Sequence, residues 1–391
     1  MQKVTNTKKV TNTKKRISKI NNSTIDMPLL IVVLMLLALG IVMVLSASAP
    51  SALADYQDSY KYVKTQILAA ILGLVVMFVL SRLDYRFFKK YYKFIYVFSI
   101  LILFTVLIPK VGIEANGAKR WIKILKFQLQ PSEITKIGLI LSFAGYYTDD
   151  KNKLDTWVGS ILIPLIGLMI PVGLLLLIQN HMSAGIVISF ITIVIVFMSG
   201  IRLKYIFETL IGGIVGLLLM LPVLAKKLTG GFRSDRIEAW LHPLENASGT
   251  SYQTMQGLYA IGSGGLFGVG LGQSKQKYLY IPEAHNDFIF AIIAEELGFV
   301  GCIFVLLLFT IFAIRGILIS INAQDLYGSL VAIGITSLIV VQALLNIAVV
   351  TNTIPNTGIS LPFLSYGGSS LIILLGCVGI LLNISRSSKK I

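Results

Sequence analysis

Charge is what this chain has least of: Asp, Glu, Lys and Arg make up 13% of its 391 residues, against roughly 25% in a soluble domain. Acidic residues are scarcer still, 18 against 34 Lys+Arg, which leaves a formal charge of +16. Hydrophobic residues reach 55% and mean hydropathy is +0.81. Such a chain cannot cover a water-exposed globule with polar surface, and a polytopic membrane protein is the default. Cysteine is nearly absent. Cys302 and Cys377 stand alone in apolar runs, which argues against a disulfide framework or a CxxC site. Of the three histidines, His181, His242 and His285, no two are spaced to put ligands on one helical face, so no dedicated metal site is expected. Nucleic acid is not an expected partner.

What is present begins with a basic tail. Residues 1–26 carry KVTNTKK twice, at 3–9 and 9–15, and no acidic residue before Asp26. This low-complexity segment cannot build a core and is expected to be a disordered cytoplasmic tail. It suits an anionic lipid surface, or serves as a topology signal and nothing more. Apolar runs of roughly 17–25 residues, the length that crosses a bilayer as helix, follow at about 27–48, 62–81, 92–109, 132–148, 157–178, 183–200, 206–225, 287–314, 327–350 and 359–384. The expectation is an all-α polytopic membrane protein with one domain over 27–386, about ten transmembrane helices and a short tail at 387–391. An even number of spans, with Lys/Arg-rich ends, puts both termini in the cytoplasm. Outer loops then fall at about 109–131 and, between helices 7 and 8, at 226–286. These two hold most of the outer cations, which is costly for topology unless they meet an anionic substrate.

The first outer loop reads NGAKRWIKILKFQLQPSEITK and places Lys119, Arg120, Lys123 and Lys126 around Trp121 before a helix starting at Pro131. An interfacial segment with snorkelling lysines is the plainer alternative. Glu133 and Lys136 then lie three apart on one face of an apolar span, where ionisable groups are usually paired and functional. In the second loop Arg233 and Arg236 are spaced to fork onto a phosphate from a helix. Gly262, Gly264, Gly265, Gly268, Gly270 and Gly272 could let backbone amides approach an anion, or form a re-entrant loop. Lys277 adds a cation beyond them. Asp287 stands at the first turn of the next span, a carboxylate at the mouth of an outward cavity or a helix cap. For Glu295 and Glu296, ion pairing inside the bundle is preferred to catalysis. The last outer loop, TNTIPNTGISLPFLSYGGSSL, is uncharged and rich in Pro, Gly and Ser. Irregular backbone of this kind can wall a wet cavity, and Ser365 is its candidate contact.

Three segments, NGAKRWI…QPSE…K, GLYAIGSGGLFGVGLGQSKQKYLYIPEAHNDFIFAIIAEELGFVG and GISLPFLSYGGSSL, together resemble the signatures of the SEDS family of bacterial membrane glycosyltransferases. They look closer to its division (FtsW) and sporulation (SpoVE) branches than to the elongation branch (RodA). The resemblance implies polymerisation of lipid II into glycan strands on the outer face of the bacterial cytoplasmic membrane, in septal division or sporulation. It implies as partners a class B penicillin-binding protein and other divisome membrane proteins. It marks Asp287 as the essential carboxylate and Arg120, Glu133, Lys136, the glycine block and Lys277 as further functional positions. One departure stands out: where the family often shows Gln-Pro-Asp-hydrophobic-Gly, this chain has Gln179-Asn180-His181-Met182-Ser183-Ala184-Gly185.

Joining a sugar hydroxyl to an anomeric carbon that carries pyrophosphate needs a base at the acceptor and positive charge at the departing phosphates. Asp287 is the expected base for the acceptor 4-hydroxyl. Cations among Lys119, Arg120, Arg233, Arg236 and Lys277, with or without a divalent cation (Mg or Mn), are expected to stabilise the leaving group. One carboxylate and no covalent intermediate predict inversion. A lipid II flippase or a non-enzymatic divisome scaffold are the rival readings. Against a flippase, the polar residues crowd one side of the membrane.

Overall fold

With no water in a bilayer core, a chain this apolar can satisfy its amides only within helices or closed barrels, and the computed structural model is built mainly of helices. It describes residues 25–109, 111–115, 118–124, 127–149, 154–209, 240–241, 250–278 and 280–388. In order these form α1 (Met27–Tyr56), α2 (Lys61–Arg82), the short α3 (Arg86–Lys90), α4 (Tyr92–Phe104), β1 (Gly112–Ala115), β2 (Ala118–Ile124), β3 (Phe127–Leu129), α5 (Pro131–Asp149), α6 (Ile163–Leu177), α7 (Met182–Met198), α8 (Thr250–Gly264), α9 (Ile289–Ile321), α10 (Leu326–Val350) and α11 (Gly368–Ser387). A 3₁₀ turn, Thr105–Leu107, extends α4, and a π turn, Val158–Leu162, leads into α6.

Among the described residues six helices are long and apolar enough to cross a membrane: α1, α2, the Val158–Leu177 stretch, α9, α10 and α11. Tyr92–Leu107 and Met182–Met198 are shorter apolar helices. The expected seventh span, 206–225, lies outside the described residues beyond position 209, as do the tail at 1–24 and residues 226–239, 242–249 and 279 of the loop at 226–286.

One end of the bundle is locked by polar caps. Asp26 caps α1 by accepting from Leu29 N at 3.0 Å, and the Arg315 guanidinium reaches its carboxylate at 2.5 Å. Asp325 caps α10 through Gly328 N at 2.8 Å and takes hydrogen bonds from Tyr85 and Arg86 at 2.8 Å each. Between the ends α2 packs on α11, α9 on α10, α8 and α1, and α5 on α4, α7 and α10. Val33, Leu36, Ile292, Leu330, Leu338, Leu375 and Leu381 form part of the buried core. Phe94, Ile193 and Phe304 point outward, as a lipid-facing surface requires.

Three expectations need correction. The chain is not all-α: β1, β2 and β3 form a three-stranded antiparallel sheet, with Ile113 opposite Trp121 and Ile122 opposite both Gly112 and Leu129. Aromatic and β-branched residues favour strands, and the Asn116-Gly117 pair that separates β1 from β2 in sequence is the dipeptide that tight hairpins prefer. The last helix starts at Gly368 rather than near 359, because Pro362 interrupts the start of the apolar run and Gly367 follows it. Asp287 precedes α9 instead of lying in its first turn, and Phe288 is the residue at the cap.

Candidate active site

The loop at 57–60, the described residues of 108–130 and of 265–288, and the loops at 178–181 and 351–367 gather at the end of the bundle opposite the Asp26 and Asp325 caps. Their frame is a break in α9. Gly298 adopts φ 67° and ψ −166° inside the helix, a conformation reserved for glycine. Such a break orphans helical amides and carbonyls, and the glycine block supplies their partners. Val269 N and Gly270 N donate to the carbonyls of Glu295 and Glu296 at 2.9 and 3.1 Å, while Phe299 N and Val300 N donate to those of Gly265 and Leu266 at 2.9 and 3.1 Å. A Cβ at Gly264 would lie 2.0 Å from Ala294 O, and one at Gly268 2.2 Å from Glu296 O. The close approach that Gly264 and Gly268 permit is therefore to the chain's own backbone.

The break also turns Glu295 and Glu296 onto the segment after the glycines. Ser274 Oγ donates to Glu295 Oε2 at 2.5 Å, and Lys275 N to Glu295 Oε1 at 2.9 Å. Lys277 Nζ donates to Glu296 Oε1 at 2.9 Å, Gly272 O at 2.7 Å and Ser46 Oγ at 3.1 Å. All three ammonium protons are thus engaged and the side chain is buried, so Lys277 holds the loop to α1 and α9. The ion-pair reading of Glu296 is the one the geometry supports.

Asp287 sits on the platform so formed, half-buried. Its main-chain carbonyl accepts from Asn346 Nδ2 of α10 at 2.7 Å, and the same nitrogen donates to Ile359 O at 2.6 Å. Gly358, at φ 67°, lies so near that a Cβ there would stand 3.1 Å from Asp287 Oδ2. One residue earlier, Thr357 O accepts a hydrogen bond from Ser183 Oγ of α7. The 351–367 segment therefore joins the carboxylate to the turn between α6 and α7.

Arg120 of β2 closes the other side of that turn: Nε donates to Gln179 O at 3.2 Å and one terminal nitrogen to Asn180 O at 2.6 Å. Lys119, its neighbour, is exposed. His181 is buried below them. Burial, then the nearby positive charges of Arg120 and Lys136, push its pKa down to about 3, so the imidazole is neutral. Lys136 and Glu133 form a buried pair on α5 at 2.6 Å, with Gln342 Oε1 of α10 at 3.3 Å from the ammonium. Glu133 Oε2, Gln179 Oε1 and His181 Nδ1 are buried without a hydrogen-bond partner. Buried polar atoms left over in one quarter of a protein mark a place for water or ligand groups.

Ser365, expected at the cavity wall, instead closes its own turn, accepting from Leu361 N at 2.7 Å. Gln66 of α2 holds the segment from behind, donating to Ser365 O at 3.2 Å and accepting from Gly367 N at 3.2 Å. His285 is buried against the rings of Tyr62 and Tyr366, with centroids at 4.4 and 5.5 Å, and burial pushes its pKa down to about 4.

The structure thus gathers Asp287, Arg120 and Lys119 at one end, with Glu133 and Lys136 buried in the bundle. Lys277, Gly264, Gly265 and Ser365 belong to the scaffold that shapes it. Arg233 and Arg236 lie outside the described residues. Sequence reasoning missed Asn346, Gln342, Gln66 and Ser46. Each is a polar residue in an apolar span, a signal that was available for the two amides of α10 in particular.

Comparison with known proteins bears on the family and the fold. A family model described as "Cell cycle protein", FTSW_RODA_SPOVE, matches residues 27–390. Stage V sporulation protein E of Bacillus subtilis is 44% identical over 367 residues, 93% of this chain and 98% of that protein. A probable peptidoglycan glycosyltransferase FtsW of Trichlorobacter lovleyi is 42% identical over 365 residues, 93% and 94% of the two chains. Among solved structures, a chain of a peptidoglycan synthase complex that coordinates polymerization and crosslinking superposes with a TM-score of 0.76 at 29% identity, covering 93% of this chain and 98% of that one. Thermus thermophilus rod shape determining protein RodA gives a TM-score of 0.65 at 28% identity, covering 95% and 99%.

Proposed function

This chain belongs to the FtsW/RodA/SpoVE family of cell cycle proteins, and from that premise we propose that, as a membrane-embedded peptidoglycan glycosyltransferase, it polymerises lipid II into glycan strands on the outer face of the cytoplasmic membrane. Both termini lie in the cytoplasm, and about ten spans carry the site to the other side. The observation that carries the reading is the placement of Asp287: a half-buried carboxylate on a kinked-helix platform, walled by Gly358, at the end where the basic sheet and the α6–α7 turn converge.

Asp287 acts as general base, taking the proton of the acceptor 4-hydroxyl as that oxygen attacks the anomeric carbon of the donor. The bond to pyrophosphate breaks on the opposite side, which gives inversion. Lys119 and Arg120 of the sheet, with Arg233 and Arg236 of the second loop, are the cations for the negative charge that develops on the leaving phosphates. Among the described residues no group of three or more His, Cys, Asp or Glu could hold a metal. A divalent cation, Mg or Mn, would depend on the substrate phosphates for most of its ligands, as Mg²⁺ commonly does.

A class B penicillin-binding protein is the partner that would cross-link the strands, alongside other divisome proteins, and the septum in division or sporulation is the place of action. The similarity to the division and sporulation relatives supports this choice. The test is polymerisation of lipid II by the purified protein, alone and with its cognate class B penicillin-binding protein. Glycan strands from wild type and none from Asp287→Ala are expected. Lipid II movement between leaflets without polymer would favour a flippase, and no effect of Asp287→Ala on a partner-dependent process would favour a scaffold.

A further inference from the structure

Asn346 lies on α10 with its side chain fully buried. Its Nδ2 donates both protons, one to Asp287 O at 2.7 Å and one to Ile359 O at 2.6 Å. The two carbonyls belong to two irregular segments, 283–288 before α9 and 351–367 before α11, which meet at the Asp287 carboxylate. The amide's orientation is decided by these contacts. Turned over, its oxygen would face two carbonyl oxygens and have no donor there. Asn346 Oδ1 itself is buried without a partner, so nothing else sets that orientation. One residue before Ile359, Gly358 approaches Asp287 Oδ2. The wall of the site and the carboxylate are therefore tied through one side chain with two donors, beside the Tyr366 N to His285 O hydrogen bond at 2.9 Å that also joins the two segments.

We propose that Asn346 is a positioning residue for the glycosyl transfer: by bridging Asp287 O and Ile359 O it fixes the base against the Gly358 wall and thus against the acceptor hydroxyl. This rests on the reading of Asp287 as general base. A side chain with no donor at 346 removes the ties at Asp287 O and Ile359 O, and a displacement of about 1 Å at a reacting group can cost on the order of a hundredfold in rate. Affinity for the lipid-linked substrate, which depends on other groups, is not what Asn346 controls.

The test uses the full-length protein in complex with its penicillin-binding protein, with lipid II as substrate. Wild type, Asn346→Leu and Asp287→Ala are compared for kcat and KM per folded, lipid II-binding site, and for the acid limb of the pH–rate profile. For Asn346→Leu the expected result is a kcat at least about tenfold lower, a KM within about threefold of wild type, and an acid limb moved along the pH axis. A wild-type kcat per binding site, or a profile scaled down without moving, overturns the proposal. If Asn346→Leu does not fold, Asn346→Ser, which keeps one donor, is measured in the same way and should fall between wild type and Asp287→Ala. Polymer from Asp287→Ala at the wild-type rate would overturn the base assignment first, and this inference with it.

Discussion

Among the described residues two lysine–glutamate pairs are buried, and they are built differently. Lys277–Glu296 joins residues from separate segments, and every proton of the ammonium has a partner, on α1, on the glycine block and on α9. Glu133–Lys136 is contained within one helix, shares only a 3.3 Å contact with Gln342, and leaves Glu133 Oε2 without a partner. A fully wrapped pair acts as a staple. A partly satisfied one costs stability that a purely structural pair would not need to carry, and its place below Arg120 and His181 fits a role in the reaction.

The largest expected effect comes from breaking the staple. Glu296→Gln leaves Lys277 buried without a counter-charge and also weakens the holds on Ser46 and Ser274. A loss of roughly 3–5 kcal/mol is expected, read as a large fall in Tm and in folded yield in detergent. A retained Tm would dissolve the contrast between the two pairs. Next comes the backbone junction beside it. Gly298→Ala puts a Cβ 2.3 Å from Gly268 N at a φ that only glycine tolerates, for a loss of roughly 1–3 kcal/mol from the backbone conformation alone.

A pH effect of similar size is expected outside the pairs. His285 is neutral when folded, its pKa held down to about 4 by burial against Tyr62 and Tyr366, while the unfolded chain titrates near 6.5. The unfolded state therefore takes up a proton first as pH falls. Stability is full above about 6.5 and declines toward pH 4 by up to about 3 kcal/mol. His285→Phe should flatten that slope in thermal unfolding measured across the window. The smallest stability change is expected at the other pair: replacing both partners, Glu133→Leu with Lys136→Met, should be near neutral in Tm while lowering polymerisation at least tenfold. A stable, fully active double variant would make that pair mere packing.

Part of the site's geometry could be read from residues alone. The Glu133–Lys136 pairing follows from spacing on an apolar helix, the preference for ion pairing at Glu296 from its place in the bundle, and the candidacy of Asp287 from a carboxylate beside a span. The sheet was missed because lysines around Trp121 also fit an interfacial segment, and strand alternation in so short a run is a weak signal. From sequence, Gly264 and Gly268 are expected either to approach an anion or to form a re-entrant loop, and Lys277 to face an anion. What they face is set by the break at Gly298, a tertiary event that turns helical carbonyls toward a distant loop and has no local signature beyond one glycine. Asn346 is legible as one of two amides in an apolar run, but its two acceptors come from segments 59 and 13 residues away.

The central claim is that Asp287 performs chemistry at a site its surroundings merely shape, and Asp287→Asn tests it with the least disturbance of volume. Lipid II binding and polymerisation by the complex are measured on the same preparation. The account predicts binding within about twofold of wild type and a polymerisation rate lower by at least about a hundredfold, the lower end of what a positioned general base contributes. Equal rates from the two proteins would contradict it.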